Sequence, residues 1–432
     1  MLGTGYLGAT HAAGMAELGH EVLGVDVDEV KIAALSAGHA PFHEPGLDDL
    51  LATHVKSGRL QFTTSLAEAA EFADLHFLCV GTPQQADSEA ADLTAVDQVV
   101  AALAEHLKRP TVVAGKSTVP VGTADRIADV LAAAADGVEL AWNPEFLREG
   151  FAVQDTLRPD RLVFGVESAA AEAALRQAYA PLLDAGVPLV VADRRTAELV
   201  KVAANAFLAT KISFINAMAE VCESAGADVT ILAEALSHDA RIGGRFLRPG
   251  LGFGGGCLPK DIRAFRARAA ELGVAEAVGF LGEVDGINQR RRQRMVDLAV
   301  EALDGHVAGR RIGVLGAAFK PDSDDIRDSP ALDVATRLTT MGAAVSVYDP
   351  AAIPNARLKY PHLNYAESLS DAVAGADLVL LLTEWAEFTA MDPAQVAGLV
   401  HQPHILDGRN ALDPEQWRAA GWTYRALGRP HQ

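Results

Sequence analysis

Gly3-Thr4-Gly5-Tyr6-Leu7-Gly8 constrains this chain most, because that glycine spacing belongs to a tight strand-to-helix turn. Gly3 permits the sharp bend, Gly5 lets the backbone approach a pyrophosphate, Gly8 allows close helix packing, and the helix N-terminus attracts negative charge. Alone, the pattern also fits a glycine turn that holds nothing. The next candidate strand, Glu21–Asp26, ends in a carboxylate, which in such a unit accepts the ribose hydroxyls of NAD and repels the extra phosphate of NADP. Only Met1 and Leu2 precede Gly3, where a strand of about five or six residues is expected. The spacing therefore places the true start upstream of Met1.

At 432 residues and 50% hydrophobic content, the chain can bury a large core and should divide into two or three domains. To about residue 195, short apolar runs alternate with Ala-rich amphipathic segments, as in a parallel sheet wrapped by helices. Candidate strands are Glu21–Asp26, Leu75–Val80, Thr111–Lys116, Val138–Trp142 and Arg161–Val166. From Arg195 to about Asn288 the pattern is helical, with Leu199, Val202, Ala203, Ala206 and Phe207 at helical spacing. After Gly305 the alternation returns, with strands at Arg311–Leu315, Ala344–Tyr348 and Asp377–Leu382 and a helix at Ala331–Met341.

The formal charge of -20, from 37 basic against 57 acidic residues, disfavours nucleic acid and anionic membranes as partners. No apolar run approaches the roughly 18–20 residues that span a bilayer, and no signal peptide is evident. Three cysteines, Cys79, Cys222 and Cys257, form no disulfide framework and fit a reducing compartment, so a cytoplasmic protein is expected.

Cys257 follows a glycine-rich stretch in Gly252-Phe253-Gly254-Gly255-Gly256-Cys257-Leu258-Pro259-Lys260-Asp261. Pro259 suits a helix's first turn, which puts the sulfur near a positive helix terminus that activates it, with Asp261 one turn on. The bland alternative is a buried small hydrophobe, and it suits Cys79 and Cys222. A hydride acceptor and a nucleophilic thiol together point to an alcohol oxidised past the aldehyde to the acid through a thioester. Lys201 and Asn205, four apart on one helix face, can stabilise an oxyanion; equally, Lys201 can pair on the surface with Glu198. Glu145 and Glu149 can position water or form a solvated acidic face. The hydroxyls of Ser117-Thr118-Val119-Pro120-Val121-Gly122-Thr123 can bind cofactor or cap the next helix. Lys320 and Arg327 offer cations for a nucleotide diphosphate, or form a salt-bridged loop in which Arg327 answers Asp324.

Taken in order, these motifs resemble the nucleotide-sugar 6-dehydrogenases, the UDP-glucose/GDP-mannose dehydrogenase family. The resemblance runs over nearly the whole chain and also rests on Glu44-Pro45-Gly46-Leu47, Val80-Gly81-Thr82-Pro83, Asn143-Pro-Glu-Phe-Leu-Arg-Glu-Gly150 and Phe319-Lys-Pro-Asp322. It implies an α/β chain of two Rossmann-like doubly wound domains joined by a helical dimerisation domain with a long central helix. The implied boundaries are 1–195 for NAD, 196–295 for the helical region and 296–432 for the UDP-sugar. The implied reaction is a four-electron oxidation of UDP-glucose to UDP-glucuronate in a homodimer, with no metal. GDP-mannose, an N-acetylhexosamine nucleotide sugar, and a non-catalytic nucleotide-sugar sensor are the alternatives.

By the same resemblance Cys257 is the nucleophile, Lys201 and Asn205 stabilise the oxyanion, and Asp261, Thr118 and Glu145 handle water and protons. Glu149, Phe253, Gly254, Lys320 and Arg327 bind substrate, and Arg245 reaches it across the dimer interface. Gly3, Gly5, Tyr6, Leu7, Gly8, Asp26, Lys31, Thr82, Pro83 and Thr118 bind NAD.

Overall fold

Leu2 stands in the slot of a central strand. In the computed structural model, which describes residues 1–430, Leu2 makes parallel bridges to Val25 on one side and Leu78 on the other. Its N–H donates to the Phe77 carbonyl at 2.7 Å and its own carbonyl accepts from Cys79 N–H at 2.7 Å. It is 1% exposed. The short run before Gly3 is thus held by both neighbours, and the glycine turn begins where the sheet ends.

The chain divides into two compact units, Met1–Ala204 with Arg263–Ala275, and Asn205–Ile262 with Glu276–Gln432. In the first, β1 (Val22–Val25) and β2 (Leu60–Thr63) pair in parallel on one side of Leu2. Beyond it lie β3 (Leu75–Leu78), β4 (Thr111–Gly115), β5 (Val138–Trp142), β6 (Leu162–Gly165) and β7 (Leu189–Ala192), adjacent in that order. Every residue of β4 is buried, as a strand covered on both faces requires. The sheet departs from the all-parallel expectation at β6, which runs antiparallel to β5. After β5 the chain stays at the sheet's carboxyl end, where Gly150 N–H bonds to the Tyr6 hydroxyl. The next strand therefore enters from that same end.

Three helices matter for the site in this unit: α1 (Tyr6–Glu17), α2 (Thr123–Ala132) and α3 (Ala152–Leu157). The chain then runs into α4 (Arg194–Ala225), which begins in the first unit and ends in the second. By length and composition alone α4 could cross a membrane, contrary to the expectation that no run comes close. Its Glu198, Lys201, Asn205, Ser213 and Asn216 are nevertheless buried and bonded within their own units, which is how a core helix behaves.

The second unit follows α4 with α5 (Leu258–Glu271, shared with the first unit), α6 (Phe280–Ala302) and α7 (Pro330–Thr340). Its strands are β8 (Arg311–Leu315), β9 (Ala344–Tyr348), β10 (Asn364–Tyr365), β11 (Leu378–Leu381), β12 (His404–Asp407) and β13 (Thr423–Ala426). They form one fully parallel sheet in the order β10-β9-β8-β11-β12-β13, the doubly wound order with its switch point between β8 and β11. This sheet is more regular than the first.

Because Leu2 bridges β1 and β3 and is buried, Leu2→Ala should destabilise the protein by about 2–5 kcal/mol, the cost of a buried Leu cavity. Urea unfolding followed by tryptophan fluorescence checks this; an unchanged midpoint would remove Leu2 from the core.

Candidate active site

The glycine turn is built as its spacing requires. Gly3 takes φ +87°, and a Cβ on Gly8 would overlap the Gly3 carbonyl, so only glycine lets α1 start this close to the strand. A Cβ on Gly5 would meet nothing within 4 Å. Space is therefore left open at the N-terminal residue before α1, where a pyrophosphate would sit. Asp26 accepts from Thr4 N–H at 2.9 Å and from the Lys31 ammonium at 2.8 Å. Burial works to raise this carboxyl, but Lys31 and the N–H groups of Thr4 and Asp28 outweigh it and hold it below the usual carboxylate value. Thr82 is buried and donates to the Thr118 carbonyl at 2.7 Å, while Pro83 beside it is exposed. Gly3, Gly5, Tyr6, Leu7, Gly8, Asp26, Lys31, Thr82, Pro83 and Thr118 all lie in the first unit, and the open turn beside a carboxylate fits NAD.

Lys201 is 5% exposed and pairs with Glu145 at 2.8 Å, not with Glu198 as a surface lysine would. Glu145 is also an acceptor for Leu147 N–H. Removing either member of this buried pair would strand a charge, at a cost of about 3–5 kcal/mol. Glu145 is thus no part of a solvated face, and Glu149, four residues on, is half-buried.

In the second unit, Cys257 is exposed and directly precedes α5, with Pro259 in the first turn. Cys79 and Cys222 are buried. Asp261, 2% exposed, accepts from the Asn205 amide and from the Lys260 ammonium, both at 2.6 Å. Phe253 N–H and carbonyl bond to the Asn288 side chain at 2.7 and 2.8 Å. Gly255 N–H donates to the Arg327 carbonyl at 2.8 Å, and a Cβ on Gly256 would overlap the Arg327 guanidinium. The thiol loop therefore lies on the loop that carries Lys320 and Arg327. Arg327 pairs with Asp325 rather than Asp324, because the backbone turn from Asp325 already brings that carboxylate to Arg327 N–H. Lys320 lies over the Phe319 ring at 5.4 Å, and Arg245 is exposed on the loop before α5.

Three stretches of the chain match the UDP-glucose/GDP-mannose dehydrogenase family: its NAD binding domain at residues 1–183, its central domain at 195–290 and its UDP binding domain at 313–414. The chain belongs to this family. It is 42% identical to a UDP-glucose 6-dehydrogenase of Rhizobium meliloti (strain 1021), over 100% of this chain and 99% of that one. A UDP-glucose 6-dehydrogenase of Bacillus subtilis (strain 168) is 40% identical, over 100% of this chain and 93% of the relative. Among solved structures, a UDP-glucose dehydrogenase from the hyperthermophilic archaeon Pyrobaculum islandicum superposes with a TM-score of 0.90 at 37% identity, covering 99% and 96% of the two chains. The resemblance drawn from the motifs is borne out.

Membership in the UDP-glucose/GDP-mannose dehydrogenase family leaves unexplained why several of its motif residues are needed, and their contacts supply reasons. Glu44 is 6% exposed and accepts from Gly150 and Ala152 N–H, both at 2.7 Å, and from the Tyr6 hydroxyl. Burial, followed by Glu44 itself, pushes the Tyr6 phenol up, so it stays a donor. Buried Lys116 bonds Asn143 Oδ1 at 2.9 Å, and burial lowers its ammonium to about 8. In the second unit Arg409 ties the Gly252 carbonyl at 2.9 Å to that of Phe319 at 3.1 Å. Sequence reading missed Lys116 and Arg409 as supports. A charge ending an apolar run at Lys116 was the available signal; Arg409 offered none.

Gly5→Ala should fold with native stability yet bind NAD about tenfold or more weakly, whereas Gly8→Ala should lower stability as well. NADH fluorescence titration beside thermal unfolding separates the two. Asp26, held low, contributes stability that is full above about pH 4 and drains as pH falls through its folded value. The gap in melting temperature between the native protein and Asp26→Asn should therefore shrink from pH 6 to pH 3.

Proposed function

We propose that the chain oxidises UDP-glucose to UDP-glucuronate in two NAD-dependent steps, with Cys257 as the covalent nucleophile. The carrying observation is an exposed thiol at the start of a helix, with Asp261 in that helix's first turn holding the Asn205 amide. NAD supplies the hydride acceptor for both oxidations.

Loss of a proton and a hydride from the sugar C6 alcohol leaves the aldehyde. Cys257 Sγ adds to that carbon, and the Lys201 ammonium and Asn205 amide donate to the resulting oxyanion. Loss of the second hydride converts the thiohemiacetal into a thioester. Water then attacks, Cys257 leaves as thiolate, and the carboxylate product departs. Glu145, Thr118 and Asp261 move the protons and orient the water. Glu149, Phe253, Gly254, Lys320 and Arg327 bind the nucleotide sugar, and Arg245, exposed on its loop, reaches it from a second copy in a homodimer.

We assign 1–195 to NAD binding, 196–295 to the helical dimerisation region and 296–432 to the UDP-sugar. The formal charge of -20 supports a chain that engages neither nucleic acid nor anionic membrane, and the sparse, odd set of three cysteines supports a cytoplasmic setting. The other sugars are less favoured: the relatives at 42% and 40% identity are named for UDP-glucose, whereas a UDP-D-ManNAc dehydrogenase structure from Pyrococcus horikoshii shares 27%.

NADH formed per UDP-glucose consumed should be near two, and Cys257→Ser should stop UDP-glucuronate release. A ratio near one, with Cys257→Ser fully active, would reduce the enzyme to a two-electron dehydrogenase.

A further inference from the structure

Glu198 sits on α4 three residues before Lys201 and is 2% exposed. Its Oε2 accepts from Gly122 N–H at 2.7 Å and its Oε1 from Ala124 N–H at 2.6 Å. Both donors lie at the junction of the Ser117–Gly122 loop with α2. The loop's first half is tied to the sheet edge: Ser117 donates to the Val80 carbonyl at 2.6 Å and Thr82 to that of Thr118. Its second half borders a cleft of about 470 Å³, lined by Pro120, Val121, Gly122, Arg126 and Arg268, so packing does not fix it on that side. Bonds must do so. Arg268 Nε donates to the Val121 carbonyl at 2.9 Å, and Glu198 holds the next two free N–H groups. Burial pushes the Glu198 carboxyl up to about 7 against the pull of those two donors.

We infer that Glu198 is a positioning residue for the reaction: its two bonds clamp the far end of the loop that carries Thr118 to the same helix that carries Lys201. The inference rests on the reading of Thr118 as a group that handles water and protons. A carboxylate can accept from two N–H groups at once, one on each oxygen, whereas an amide of the same size turns a donor against one of them. Glu198→Gln therefore keeps the volume and breaks the clamp.

The test is steady-state kinetics of the full-length enzyme with UDP-glucose and NAD. Glu198→Gln should lower kcat about 10- to 100-fold, the scale on which small misplacements act, while KM for NAD changes less than about threefold. In a Thr118→Ala background the same substitution should cost little further. An unimpaired Thr118→Ala would show that the reading of Thr118 has failed. An impaired Thr118→Ala with a fully additive Glu198→Gln would sink the Glu198 inference alone, as would wild-type kcat in Glu198→Gln. Should Glu198→Gln not fold, Arg268→Met loosens the same loop from its other side; a drop in kcat with KM for NAD retained supports the clamp, and unchanged kcat overturns it.

Discussion

Glu44 and Glu198 each spend a buried carboxylate on backbone N–H groups that no strand or helix can satisfy. Loops at the carboxyl end of a doubly wound sheet must hold reactive side chains out to a ligand, and that geometry strands main-chain donors and acceptors. The first unit meets the cost with these two acids, with Lys116 on the Asn143 carbonyl and with Thr82 on that of Thr118. The second meets it with Asn288 on Phe253 and Arg409 on Gly252 and Phe319. Several of the residues proposed for the chemistry are thus held in place by buried neighbours.

Local features were legible in the sequence because their causes are local. The glycine turn, Asp26 at the end of β1 and Pro259 after Cys257 each follow from neighbours within a few residues, and all three stand where the spacing put them. Central strands with continuous apolar runs, such as β4, β5, β8 and β9, were found with bounds equal or nearly so. The strands β2, β7, β10, β12 and β13 were not: β2, β7, β10 and β13 lie at sheet edges, and β12, though inner, is a run of only four residues. The reversal at β6 was also hidden, for it depends on where the preceding loop is tied.

Partnerships across long separations were the other blind spot. Glu198 meets Gly122 across 76 residues and Glu44 meets Gly150 across 106, so neither bond leaves a mark in spacing. Helical periodicity paired Lys201 with Glu198, its neighbour one turn away. The fold sends each instead to a loop of the first sheet, Lys201 to Glu145 and Glu198 to the start of α2.

Asp26 carries its own counter-ion, the Lys31 ammonium 2.8 Å away. In dinucleotide-binding units an acid at the end of this strand accepts the ribose hydroxyls of NAD and repels the extra phosphate of NADP. An ammonium already engaged by Asp26 is not held ready for a phosphate, so one ion pair would both keep the acid charged and disfavour the larger anion.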